Sequence, residues 1–253
     1  MDKYEIAKEI GEGKFGQVYL GRFKETKEKV AIKVISKSQI EKSEPKTEIK
    51  ILKLVNHNNI IRYVDNFDNE DKIFIITNYI SGYNLYNILK KNKVLEQKIV
   101  SKYVLQLIYA VKYLHGLNII HRDIKPENII IDDMNNDIIL CDFGWSAISD
   151  SIDTKYTDLC GTLDYICPEM VRYEEYDYRC DIWCIGVLTY ELLIGKVPFY
   201  SISYKGTYDN ISKLKYTIPS DISDFGKDFI SKILKYENDR ISITDMLDHP
   251  FFS

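Results

Sequence analysis

The chain has 253 residues, 45% hydrophobic and 28% charged, with a formal net charge of −4. That length suits one large domain or two small lobes with cores of their own, and the composition is that of an ordinary globular protein. There is no basic surplus of the kind nucleic-acid binding calls for, and no apolar run approaches the roughly 18–20 residues of a membrane span, so neither partner is expected.

The first third alternates with a period of two. YEIAKEI, QVYLGRF and KVAIKVI predict three strands, the last two joined by the polar turn KETKE. Pro45 suits a first helical turn, and Glu48, Leu52 and Val55 then share a helix face. IIRYVDN and KIFIITNYI predict two more strands. After Gly82 the pattern turns helical: Val100, Tyr103, Val104, Leu107, Val111 and Leu114 form one stripe, with Gly116 at its C-terminal end. IWCIGVLTYELLIG is apolar nearly all round and predicts a helix in the middle of a lobe. Ser242 with Asp245 resembles a capping box, and Pro250 closes the last helix. A strand-rich small lobe therefore precedes a larger helical lobe, an α+β chain.

Five cysteines (Cys141, Cys160, Cys167, Cys180, Cys184) include no CxxC pair, and their odd number and irregular spacing argue against disulfides and zinc. A reducing compartment, nucleus or cytoplasm, fits best. The four histidines are scattered and form no metal cluster. MDKYEIAKEIGEG has no apolar stretch of signal-peptide length.

Between the first two strands lies GEGKFGQV. Its glycines let the backbone approach a phosphate, because no Cβ stands in the way. The same GxGxxG spacing occurs in dinucleotide folds and in plain turns; here it precedes a strand instead of opening a helix, which disfavours a dinucleotide. Lys33 ends VAIK on the third strand. A strand lysine is usually solvent-facing, but Glu48 on the apolar face of the next helix needs a partner, and Lys33 supplies one. In HRDIKPENIII, Asp123, Lys125 and Asn128 share a short loop. An aspartate can accept a hydroxyl proton, a lysine can steady a transferred group, and an asparagine oxygen can hold a metal ion. Asp142 in CDFG offers a second hard oxygen for magnesium. In KYTDLCGTLDY, Gly161 and Thr162 look like part of a loop that reads a peptide.

GxGxxGxV, VAIK, HRDxKxxN, DFG and a variant of APE, in this order across nearly the whole chain, resemble the eukaryotic protein kinases, whose motif set is well described. DFGWS (Asp142 to Ser146) and LCGTLDYICPEM resemble the Aurora group within them. The resemblance implies a bilobal fold forming one catalytic domain over 1–253, with a small lobe to about 78, a hinge at about 78–82 and a large lobe beyond. It implies ATP and Mg2+ as cofactors and transfer of phosphate to serine or threonine of proteins. Gly11, Glu12, Gly13, Lys14, Phe15 and Gly16 would cover the phosphates, and Lys33, paired with Glu48, would hold them. Asp123 would accept the proton, Lys125 would lie near the γ-phosphate, and Asn128 and Asp142 would hold magnesium. Thr77, Asn78 and Ile80 would form the hinge against adenine, with Val18, Ala31 and Ile130 sandwiching the ring. Asp181 would anchor the catalytic loop, and Glu169 would pair with Arg240. Glu127 and Glu191 would face arginine upstream of the target residue, an often bidentate, charge-assisted pairing.

The group's activation-loop phosphothreonine is here Asp158, preceded by Thr157. Arg122 remains of the phosphate-gripping arginines, while Lys155, Tyr156, Lys46 and Thr47 stand where others are usual. An aspartate carries −1 against about −1.5 to −2 for a phosphothreonine, so Asp158 with Arg122 would give a partial standing "on" bias. Phosphorylation of Thr157 would add to it; alternatively Asp158 is a solvated loop residue and a partner activates. Almost nothing precedes the first strand, so the group's N-terminal extension is not expected. An activating partner on the small lobe, a mitotic role in spindle and chromosome segregation, and a place at spindle or chromosomes follow from the resemblance alone. The alternatives are another kinase of basic substrates, or a non-catalytic kinase-like binding module.

Overall fold

A computed structural model of the chain describes residues 3–13, 16–38 and 45–253. The period-two stretches build an antiparallel sheet of β1 (Tyr4–Gly13), β2 (Gly16–Phe23), β3 (Lys29–Ser36), β4 (Tyr63–Asp68) and β5 (Lys72–Asn78), in spatial order β1-β2-β3-β5-β4. Inserted between β3 and β4 is α1 (Pro45–Leu54), which buries Glu48, Ile51 and Leu52; Val55 lies just past its end and is also buried.

Alternation on β3 sorts its residues between two packed faces. Val30 and Ile32 join Tyr4, Phe74 and Ile76 in a small cluster on one side, whereas Ile35 packs with Ile51, Leu52 and Ile75 in the main core. Lys33 shares the second face, so the solvent-facing reading of that lysine does not hold. β1 departs from its sequence pattern: Tyr4 is buried while Ile6 and Ile10 are exposed. It is an edge strand with register breaks between Ile6 and Lys8 and between Glu9 and Gly11, and each break resets the two-residue period. β4 begins later than IIRYVDN implies, because Ile60 bridges Leu140 and is buried there.

The rest is mostly helical. β6 (Gly82–Asn84), hidden within a helical pattern, precedes α2 (Leu85–Asn92), whose Asn84 side chain caps it by accepting the Asn87 N–H at 2.9 Å. α3 (Gln97–Gly116) buries the whole predicted stripe. Gly116 is its last helical residue, and the left-handed residue of this exit is Asn118 (φ 57°). β7 (Ile119–Ile120), β8 (Ile129–Asp132) and β9 (Ile138–Leu140) follow; β6, β8 and β9 form a small sheet, and β7 pairs with β10 (Ala147–Ile148).

After α4 (Pro168–Val171) comes α5 (Arg179–Ile194), buried nearly all round as its composition predicts and ended by left-handed Gly195 (φ 82°). α6 (Tyr204–Ser212), α7 (Asp224–Ile233) and α8 (Ile243–Leu247) complete the lobe. Ser242 caps α8 by accepting the Asp245 N–H at 3.1 Å, whereas Pro250 opens a separate 3-10 turn beyond the helix. The architecture is thus a β-sheet lobe and a helical lobe, α+β overall. No helix among the described residues is long and apolar enough to cross a membrane.

Candidate active site

The first cluster joins three elements. Lys33 Nζ on β3 bonds Glu48 Oε1 at 2.7 Å and Oε2 at 2.9 Å on α1, and Asp142 Oδ1 at 2.7 Å just after β9. Burial opposes the ammonium charge, but Asp142 and Glu48 outweigh it and the Lys33 pKa rises. Burial would raise Asp142 too, yet the Lys33 charge and hydrogen bond hold its carboxyl below the ordinary range, while for Glu48 burial prevails and its acid is raised. Two carboxylates sharing one ammonium leave room for a further cation. Asp142 takes a left-handed backbone (φ 61°), the strained kind that collects at working sites. Phe143 beside it is buried, edge-on to His121 with ring centroids 5.0 Å apart.

The second cluster hangs from α5. Asp181 is fully buried, and its carboxylate accepts the backbone N–H of His121 at 2.9 Å and of Arg122 at 2.8 Å. His115 Nε2 lies 2.9 Å from the same carboxylate. Burial works against that charge, but the His115 hydrogen bond and the other partners hold the Asp181 pKa below its ordinary value. The loop so anchored presents Asp123, whose Oδ1 accepts the Thr162 hydroxyl at 2.9 Å and whose Oδ2 meets Lys125 Nζ and Asn128 Nδ2, each at 2.9 Å. Lys125 Nζ also donates to Thr162 Oγ1 at 2.7 Å. Asn128 spends its amide nitrogen on Asp123, which leaves its Oδ1 uncommitted among the described residues.

Gly13 pairs with Gly16 across the β1–β2 hairpin, and Gly11 and Glu12 lead into it. Lys14 and Phe15 lie outside the described residues. A Cβ at Gly16 (φ 153°) would stand 2.2 Å from the Val34 carbonyl oxygen, so only glycine fits. The register Val18↔Lys33 and Leu20↔Ala31 puts Val18 and Ala31 on the face of Lys33, and Ile130 lies half-buried on β8. Thr77 and Asn78 end β5. The Asn78 N–H donates to the Arg62 carbonyl at 3.0 Å, while the Ile80 N–H finds no partner among the described residues.

Gly161 (φ 90°) runs so close to the loop bearing Asp123 that a Cβ would lie 2.7 Å from the Arg122 carbonyl oxygen. The Tyr165 hydroxyl donates to Glu191, whose pKa is raised first by burial and then by Glu127 and Asp164. Glu127 is exposed. Arg122 Nη1 meets Asp158 at 2.8 and 3.1 Å, and Thr157 is exposed beside it. The expected Glu169–Arg240 pair forms at 3.2 Å. Sequence reading missed Tyr176, whose hydroxyl touches Asp158 and Arg122, and the contacts of Lys155 with Asp177 and Glu237. No spacing signal marks them, because each joins separate segments.

The two clusters supply an ammonium, an amide oxygen uncommitted among the described residues and acidic oxygens, and the glycine-edged hairpin belongs to the same sheet as Lys33, the equipment of a phosphoryl-transfer site. Residues 4–252 match the family model described as protein kinase domain, a class that works on protein substrates and typically uses ATP and Mg2+. The chain is 40% identical over 256 residues to Aurora kinase C of Mus musculus, spanning 99% of this chain and 92% of that protein. It is 40% identical over 254 residues to Aurora kinase of Schizosaccharomyces pombe (98% and 71%) and 38% identical over 256 residues to Aurora kinase A-B of Xenopus laevis (99% and 62%). The chain belongs to the protein kinase family, as a serine/threonine kinase of the Aurora group.

Proposed function

We propose that this kinase moves the γ-phosphoryl group of ATP to serine or threonine in proteins, with Asp123 taking the hydroxyl proton as the new O–P bond forms. The observation that carries this reading is the packing of Thr162, Lys125 and Asn128 around the Asp123 carboxylate, within a loop anchored by Asp181. Lys125 steadies the transferred group, and Lys33, fixed by Glu48, holds phosphate oxygens beneath Gly11 to Gly16. The Ile80 N–H and the Asn78 backbone meet adenine behind Thr77, and Val18, Ala31 and Ile130 cover its ring. Asn128 Oδ1 and the Asp142 carboxylate are hard oxygens that fit Mg2+, which neutralises phosphate charge when bound. In this reading residues 1–253 are one catalytic domain, with the hinge at about 78–82.

Substrates with arginine upstream of the target fit best. Burial raises the Glu191 pKa, and the nearby Glu127 and Asp164 carboxylates add to the cost of its charge, a burden that an arginine on the substrate relieves. Gly161 and Thr162 line the peptide's path. The Aurora-group likeness supports a role in spindle and chromosome segregation, a nuclear or cytoplasmic place at those structures, and an activating partner on the small lobe. The test is transfer of labelled γ-phosphate to an arginine-containing serine peptide with Mg2+. We expect activity that Asp123→Asn abolishes while ATP binding survives. Nucleotide binding without transfer by the unaltered protein would favour a non-catalytic binding module instead.

A further inference from the structure

We propose that Tyr176 is a positioning residue for phosphoryl transfer. Its hydroxyl clasps the Asp158 carboxylate to Arg122, and this clasp holds the catalytic loop in its working shape with no phosphate on the activation segment. The inference rests on the kinase reading above and concerns what steadies that site.

The Tyr176 oxygen accepts from Arg122 Nη1 at 3.2 Å, and its single proton can serve either the carbonyl or Oδ1 of Asp158, each 3.0 Å away. Burial pushes the phenol pKa up and keeps it a donor. The Asp158 side chain is 53% exposed, so its ion pair with Arg122 is weak alone, typically under about 1 kcal/mol. Tyr176 is 1% exposed. It grips Asp158 from the dry side, with one proton shared between the Asp158 carbonyl and Oδ1, and turns a surface pair into a three-membered network.

Arg122 is held at two further points. Its Nε donates to the Trp145 carbonyl at 2.6 Å, and its guanidinium lies 5.3 Å from the Tyr156 ring. Tyr156 stacks on Tyr176 with centroids 5.8 Å apart, and the two residues exchange backbone hydrogen bonds of 2.8 and 2.9 Å. The aromatic pair thereby fixes the height of the activation segment against Arg122. Lys155 does not help: it reaches Asp177 at 2.9 Å and Glu237 at 2.6 Å. Among the described residues Arg122 is the one cation paired with Asp158.

The clasp connects directly to the chemistry. Arg122 adopts φ 66°, a strained conformation that persists only where its surroundings impose it, and the next residue is Asp123. The same segment supplies Gly161, packed on the Arg122 carbonyl, and Thr162, bonded to Asp123. Loosening Asp158 therefore frees the backbone just before Asp123 and the Thr162 bond to its Oδ1, while Lys125 and Asn128 keep hold of Oδ2.

The test compares wild type, Tyr176→Phe, Asp158→Asn and the double variant, all phosphatase-treated and confirmed phosphate-free by mass spectrometry. Each single change should lower kcat about tenfold on an arginine-containing peptide and leave KM for ATP within about twofold, because the nucleotide contacts lie elsewhere. The double variant should fall little below the weaker single, since both act through one clasp. Wild-type kcat in Tyr176→Phe would overturn the proposal, as would singles that multiply to about a hundredfold. So would a wild type silent until Thr157 is phosphorylated. If Tyr176→Phe does not fold, Tyr156→Leu is read the same way: a tenfold loss supports the clasp and an unchanged kcat overturns it. A wild type inert in every phosphorylation state would sink the kinase reading itself, and this proposal with it.

Discussion

Replacing Glu169 by alanine leaves the Arg240 guanidinium buried without its carboxylate. The Arg240 side chain is 0% exposed and that of Glu169 8%, with Nη2 at 3.2 Å from both carboxylate oxygens. Removing one half of a buried pair costs about 3–5 kcal/mol. Here the guanidinium keeps bonds to the Arg179 carbonyl at 2.7 Å and the Lys235 carbonyl at 3.0 Å, and it lies over the Trp183 ring, so the low end applies, about 3 kcal/mol. In a domain of this size each kcal/mol moves Tm by about 2–4 °C, which gives a fall of about 6–12 °C. Urea melts and thermal scans at neutral pH measure both. A Glu169→Met/Arg240→Met double variant removes both charges and should recover most of the loss. The sign of the pH dependence follows from Glu169, for which burial raises the pKa but Arg240 prevails and depresses it below its ordinary 4.5. Its stabilisation is therefore complete above 4.5 and lost as pH falls through the lower folded value, so the gap between wild type and Glu169→Ala should close on acidification. A loss under about 1 kcal/mol at neutral pH would refute the reasoning.

What the sequence made legible is what local chemistry dictates. Strand and helix periods placed β2, β3, α3 and α5 because each buries a face its own letters define. The Lys33–Glu48 pair was readable because a buried carboxylate demands a cation. Asp123, Lys125, Asn128 and Asp142 announced themselves by residue type and order. β1 misled because its register breaks are backbone events that side-chain alternation does not encode. β6 was hidden because three residues are too few to show a period. Tyr176 was unreadable for a different reason: in a chain with 20 tyrosines, only the fold brings this one to Asp158, 18 residues away. The same holds for Thr162 meeting Asp123 across 39 residues. The candidate inventory was thus visible in one dimension, while the contacts that steady it exist only in three.

Three further outcomes test the structure. Asp177 is buried, but hydrogen bonds from Arg179 and Lys155 overcome that burial and hold its pKa at about 2 against 3.8 unfolded, worth about 2 kcal/mol present above 3.8 and lost toward pH 2. Asp177→Asn should lose that much at neutral pH and little near pH 2, by urea melts. Glu191→Gln should raise KM for arginine-containing peptides about tenfold and leave arginine-free peptides unchanged; in wild type that KM should climb as pH falls through the raised Glu191 pKa and the carboxylate is neutralised. Gly161→Ala forces a left-handed alanine, with its Cβ 2.7 Å from a backbone oxygen of Arg122, so the activation segment must lift from the catalytic loop. We expect kcat to drop at least about tenfold with ATP affinity intact, since 1.4 kcal/mol of mispositioning suffices. Gly116→Ala is the matched control: a Cβ there meets nothing within 4 Å at the end of α3, so activity should be unchanged and stability slightly higher. Equal kcat in the two variants would mean that the close approach of Gly161 to Arg122 does not shape the active site.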